Sequence, residues 1–273
     1  MKSAEFRLAA AACRASYGDV SAVSDVTKID WSRFILLCRR HRIQGLAHAG
    51  LRELDAPVPA VASEPLAADA RRIAAANLLA IAETGRLLDS FQRADLPILF
   101  VKGVSLAALV YPQPLVKMNW DIDLLIDPAA LHAAARTLVD LGYRHVVPAT
   151  GLERWHGLRK ESAWTNGVAH IELHTRLADN PAMIPSIDVF SPRQIVTLQG
   201  SLPVPTLADD ELFAYLCVHG ASSAWFRLKW ITDLAAMLHG RSTDDIDRMF
   251  DRSQSLGAGR SAGQALDAPW TQR

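Results

Sequence analysis

Neither sign of charge is in surplus in this chain: 29 Lys and Arg stand against 29 Asp and Glu. Without a positive excess, no overall field draws it to nucleic acid or to an anionic membrane, so a polynucleotide substrate is disfavoured against something smaller. Cysteine is scarce. Cys13, Cys38 and Cys217 are far apart and form neither a CxxC pair nor a zinc spacing, which argues for reduced, partly buried thiols. Long apolar runs are missing too. The apolar N-terminal patch is interrupted by Glu5, Arg7 and Arg14, unlike a signal-peptide core, and no later stretch has the length of a membrane span. These absences predict a cytoplasmic protein with no membrane segment.

What the chain has in quantity is hydrophobic residue, 50% of 273 positions, enough for one large core or two smaller ones. Trp31 to Leu51 carries Phe34, Leu37, Cys38 and Ile43 at helical spacing behind Asp30, a good N-cap. Pro57, Pro59 and Pro65 mark a loop, and residues 66–95 read as one long helix. After Pro97 the period changes. Ile98 to Val101 reads as a buried strand, 104–110 as a helix, Trp120 to Ile126 as a second strand, 129–141 as a helix stopped by Gly142, and Tyr143 to Val147 as a weaker strand. Glu161–Thr165 and Val168–Leu173 flank Asn166-Gly167, which predicts an antiparallel hairpin on a type I′ turn. The turn-rich stretch 186–207 holds at most a small strand pair. Helices follow at 208–222, with Asp209 or Asp210 as cap, at 225–240 and at 243–256, and the tail after Gly257 is expected to fray. The outline is α+β: a helical region 1–95, an α+β core 96–206 and a helical region 207–273.

The chemistry centres on Trp120-Asp121-Ile122-Asp123-Leu124. On a strand, Asp121 and Asp123 share one face while Ile122 and Leu124 point into the core. Two adjacent carboxylates resist ionising together unless a cation lies between them, and such an oxygen pair suits magnesium. A solvated acidic edge strand produces the same pattern, so the pair alone decides nothing. Upstream, Lys102-Gly103-Val104-Ser105 opens a helix directly after a strand, where glycine, helix amides and a lysine favour phosphate, though an ordinary tight turn has the same composition. Downstream, Glu172 stands alone between Ile171 and Leu173 and supplies the third carboxylate that a two-metal site requires. His170 and His174 flank it at two residues on either side, as ligands or as hydrogen-bonded supports. His219 and Asp233 read first as helix-pairing residues, and Trp225 and Trp230 as packing.

In this order, Phe-Val-Lys-Gly-Val-Ser-Leu, Lys-Met-Asn-Trp-Asp-Ile-Asp-Leu-Leu-Ile, Leu-Gly-Tyr-Arg and His-Ile-Glu-Leu-His-Thr-Arg-Leu resemble the bacterial uncharacterised nucleotidyltransferase family of the polymerase-beta-like superfamily. His219-Gly220-Ala221 and Arg227 to Leu234 resemble its helical C-terminal segment, so the likeness spans roughly residues 75–240. The resemblance implies a small mixed sheet with helices, flanked by N-terminal and C-terminal helices. It also implies transfer of a nucleoside monophosphate from an NTP to a hydroxyl acceptor (small molecule, peptide or protein), with release of pyrophosphate. Asp121, Asp123 and Glu172 would be catalytic and hold two Mg2+ ions, with Lys102, Gly103, Ser105 and Lys117 on the nucleotide phosphates. Lys117 stands where the family commonly has arginine, and a valine separates Gly103 from Ser105. These departures motivate a second reading, a nucleotide-binding accessory protein of the same fold with weak or no turnover. A third is a helical scaffold with a solvated acidic strand.

Overall fold

The computed structural model describes residues 3–20, 28–146 and 151–267. It opens with α1 (Ala4–Ala15), α2 (Trp31–His41), α3 (Gln44–Glu53) and the long α4 (Ala60–Arg93). The α+β region holds β1 (Ile98–Phe100), α5 (Gly103–Val110), β2 (Ile122–Ile126), α6 (Leu131–Asp140), β3 (Arg144–His145), α7 (Leu152–Leu158), β4 (Glu161–Thr165) and β5 (His170–His174). A hairpin of β6 (Arg193–Leu198) and β7 (Leu202–Leu207) leads to α8 (Asp209–Ser222), α9 (Leu228–Leu238), α10 (Thr243–Ser255) and α11 (Gly259–Leu266).

Local chemistry accounts for most boundaries. Asp30 caps α2 by accepting from Arg33 N–H at 3.0 Å. The expected single helix 31–51 is broken, because Arg42 takes a left-handed conformation (φ 57°) and starts α3 in a new direction. The long helix begins earlier than expected and encloses Pro65. Gly142, at φ 86°, ends α6 as expected, and Val147 lies outside the described residues. The cap of α8 is Ala208, without a side-chain bond, and α9 starts only at Leu228. The segment expected to fray forms α11, whose Ala262 and Ala265 are buried; residues 268–273 lie outside the description.

The five-stranded sheet has the order β1-β2-β5-β4-β3. Its β2–β5 pair is parallel and the other pairs are antiparallel, which makes it the small mixed sheet of the expected α+β class. The hairpin turn differs from expectation. Pairing closes at Thr165 and His170, so the loop is Asn166–Ala169, and only Gly167 has positive φ. Asn166 acts instead through its side chain, which accepts from Val168 N–H at 3.0 Å and Ala169 N–H at 2.8 Å.

Alternation along the strands separates two cores. Ile98, Phe100, Ile122, Leu124, Ile126, Ile171 and Leu173 pack with α4, α6 and the β6–β7 hairpin. Leu99, Val101 and Leu125 face the other way, into a core shared with the N-terminal helices, α8 and α9. Each such fully buried side chain contributes about 1.5–3 kcal/mol of burial free energy. Asp123 and Glu172, by the same alternation, lie on the face toward α8 and α9.

Candidate active site

β2 starts at Ile122, two residues later than expected, because its partner strand begins there: Ile122 pairs with Ile171 and Asp123 with Glu172. Trp120 and Asp121 therefore lie just before the paired segment, and Asp121 is half-buried at the edge of a cleft. Asp123 is buried, at 2% exposure. Ligand atoms of Asp123, Glu172 and His174 all lie within 4.8 Å of one another. Parallel pairing thus joins residues some fifty positions apart into one acidic group.

A lysine meets this group from the turn before α5. Lys102 Nζ lies 2.7 Å from Asp123 Oδ1 and 4.0 Å from Glu172 Oε2. Gly103 makes the turn at φ 65°, a conformation other residues enter only with strain, and a Cβ there would lie 3.4 Å from the Asp121 carbonyl. Ser105 is placed inside the turn: its buried hydroxyl donates to the carbonyls of Phe100 at 2.9 Å and Lys102 at 2.7 Å. It pins the backbone, while Lys102 and Gly103 face the cleft.

His174, fully buried, directs Nε2 at three carboxylates: Asp123 at 3.2 Å, Glu161 at 3.3 Å and Glu172 at 3.6 Å. Its Nδ1 has no hydrogen-bond partner among the described residues. His170 shares the strand face but is exposed at the far end. Burial alone would lower the His174 pKa, but the Asp123 and Glu172 carboxylates raise it. Burial would raise Asp123, yet the Lys102 ammonium and the His174 bond hold it well below the usual range. Among the described residues Asp121 makes no ion pair as close as these. Burial, then the Asp123 and Glu172 charges, push it up to about 7 against Lys102 and Lys229.

The cleft is narrow, with about 40 Å3 of free volume inside it. Lys117 is buried beside Asp233, with Nζ 3.5 Å from Oδ2, and donates to Asn119 Oδ1 at 2.8 Å. Asp233 also accepts from the Tyr111 hydroxyl at 2.8 Å. Asn77 holds this loop to α4, donating to the carbonyls of Leu115 and Lys117, each at 2.7 Å. From α8 and α9 come His219, Lys229 and Trp230. Burial and then the Lys117 charge lower the Lys229 pKa to about 8, with Asp233 and Asp121 opposing. Trp225 packs on Gly220, where any Cβ would overlap its ring at 2.2 Å. Asp233 and His219, which sequence reading put first into helix pairing, both line the cleft; Glu161 and Lys229 were missed altogether.

The family model described as uncharacterised nucleotidyltransferase matches residues 27–268. The chain belongs to this family. Two solved structures of ANT(2″)-Ia resemble it in outline. One is a crystal structure in complex with adenylyl-2″-tobramycin, at 13% identity and TM-score 0.45, with 62% of this chain and 93% of that chain covered. The other is a solution structure of this antibiotic-resistance factor, at 14% identity and TM-score 0.42, covering 66% and 91%. No curated protein matches the sequence. Among the described residues, no helix is long and apolar enough to cross a membrane.

Proposed function

We propose that this family member transfers a nucleoside monophosphate from an NTP to a hydroxyl acceptor in a magnesium-dependent reaction. The observation that carries the reading is the pairing of Asp123 with Glu172 on parallel strands, beside Asp121 and under Lys102. The donor set fits the cation. Asp121, Asp123 and Glu172 offer carboxylate oxygens, the ligands magnesium prefers, and Lys102 already supplies positive charge to two of them. His174 Nε2–H orients Asp123 by hydrogen bonding, a supporting role usual around metal ligands.

Asp121, Asp123 and Glu172 would hold Mg2+, which supplies neutralisation of phosphate charge when bound. Glu172, about one-quarter exposed, takes the proton of the attacking hydroxyl. The hydroxyl oxygen forms a bond to the α-phosphorus as the bond to the β-phosphate oxygen breaks, and pyrophosphate leaves. Lys102, Lys117, Lys229 and the open first turn of α5 at Gly103 receive the phosphates. Most of the acceleration comes from positioning and charge.

The test is transfer of label from α-labelled NTP. Asp121→Asn with Asp123→Asn abolishes transfer while circular dichroism stays native; undiminished labelling by this variant contradicts the proposal.

One observation favours a second reading. Lys102 spans Asp123 and Glu172 as a built-in cation, as in a nucleotide-binding accessory protein that has no use for a metal. That reading predicts nucleotide binding without magnesium-dependent pyrophosphate release, and a pyrophosphate assay across candidate acceptors separates the two.

A further inference from the structure

Two arginines at the cleft rim take no part in the chemistry above. Arg42 stands at the junction of α2 and α3, its guanidinium 5.4 Å from the centroid of the Trp120 ring. Arg227 precedes α9, its guanidinium 5.0 Å from the Phe226 centroid and 5.7 Å from that of Trp230. These segments come from opposite ends of the chain, yet they meet: Leu228 N–H donates to His41 Nδ1 at 3.2 Å. Trp120 directly precedes Asp121, and Trp230 lines the cleft. Neither arginine lines the cleft itself; each lies one ring outside it, Arg42 on Trp120 beside Asp121 and Arg227 on Trp230.

Both side chains are half-buried, and among the described residues neither guanidinium reaches a carboxylate within ion-pair distance. Arg227 Nε is buried without a hydrogen-bond partner among the described residues. Burial, and after it the Arg227 charge, lower the Arg42 pKa, with Asp121 opposing. Like charges held close and half-desolvated are costly without a counter-ion. Aromatic faces steady each guanidinium and leave N–H groups for another ligand. Trp120 and Phe226 themselves are 57% and 60% exposed, so the rim is open to a solute.

We propose that Arg42 and Arg227 form an anion clamp that binds a phosphate-class group at the mouth of the cleft. The group belongs either to the nucleotide's phosphate tail or to an anionic acceptor. Only this choice of source rests on the nucleotidyl-transfer reading; anion binding itself does not.

The experiment is calorimetry on the full chain with inorganic tripolyphosphate, free of magnesium. It is then repeated with magnesium and an α,β-methylene nucleoside triphosphate. Arg42→Gln and Arg227→Gln are each expected to weaken tripolyphosphate binding about tenfold, the usual scale for a lost charged hydrogen bond. The matching Arg→Lys variants retain part of the affinity, because lysine keeps the charge and loses the fork. Unchanged tripolyphosphate affinity in both Gln variants overturns the clamp. A parallel fall in nucleotide affinity assigns the anion to the nucleotide tail; nucleotide affinity that holds while tripolyphosphate binding drops assigns it to the acceptor. Asp121→Asn with Asp123→Asn keeps the tripolyphosphate site while losing magnesium-dependent nucleotide binding, so the two ideas fail separately.

Discussion

Asp123 and Glu172 are register partners on the parallel strands β2 and β5, and Lys102 reaches both. Nothing local in either strand requires this meeting. It follows from placing β5 directly against β2, with the alternation of both strands in phase. The consequence is an acidic site whose charge is partly balanced by a lysine in the divalent-free protein.

Removing that lysine leaves buried Asp123 beside Glu172, with His174 as its hydrogen-bond partner. Lys102→Met is expected to lower unfolding free energy by about 3 kcal/mol in chelator, the scale for breaking a buried ion pair. Magnesium then restores part of the loss, because a cation can take the lysine's place. Denaturant unfolding with EDTA and with magnesium checks this, and a variant as stable as wild type in both contradicts it.

On β5, two residues of one face are expected to behave in opposite ways. Glu172→Gln abolishes transfer. His170→Ala, at the exposed end of the strand, stays within about 0.5 kcal/mol in stability, as surface changes usually do, and retains activity. Steady-state rates beside thermal melts of the two variants decide the point.

Lys229, with its pKa lowered to about 8, sets a pH limb. The charged form that binds phosphate is present below that value and lost as pH rises through it, so kcat/KM for NTP falls above about 8. Lys229→Met removes this limb and lowers kcat/KM at pH 7 by about tenfold, the scale of a charged hydrogen bond. For stability the sign reverses. The folded state releases the proton before the unfolded chain does, so the burial penalty, full below about 8, is relieved between about 8 and the ordinary 10.5.

Gly45 lets α3 approach the turn that carries Lys117: a Cβ there would lie 2.0 Å from the Val116 carbonyl oxygen. Gly45→Ala is expected to destabilise by about 1–3 kcal/mol, as overpacking does. It also raises KM for NTP by displacing Lys117. Unfolding and kinetics on one preparation test both effects.

The sequence made Asp123, Glu172 and their strands legible because two independent signals agreed, two-residue alternation and the order of the acidic residues along the chain, whereas Asp121 lies just ahead of β2. Lys102-Gly103 was legible as a turn, but its ion pair to Asp123 depends on how α5 leaves the sheet. The Asn166 hairpin was correctly placed, yet its turn type was missed because a side-chain bond replaced the second positive φ. The break at Arg42 left no trace, since arginine is a good helix former. Glu161, Lys229, Arg42 and Arg227 enter the site from the neighbouring hairpin strand or from helices distant in sequence. Glu161 meets His174 through the β4–β5 register, and Arg42 and Arg227 come together only when the α2–α3 junction packs against the start of α9, which no local pattern announces.

The central claim is that Asp121, Asp123 and Glu172 hold the cation that makes nucleotide binding magnesium-dependent. Calorimetric titration of a non-hydrolysable NTP, with and without magnesium, into wild type and into Asp121→Asn with Asp123→Asn, measures this directly. Tight binding is expected only from wild type with magnesium, with that dependence lost in a variant that melts as a folded protein. Equal affinity with and without magnesium in wild type, or equal magnesium-dependent binding by both proteins, contradicts it.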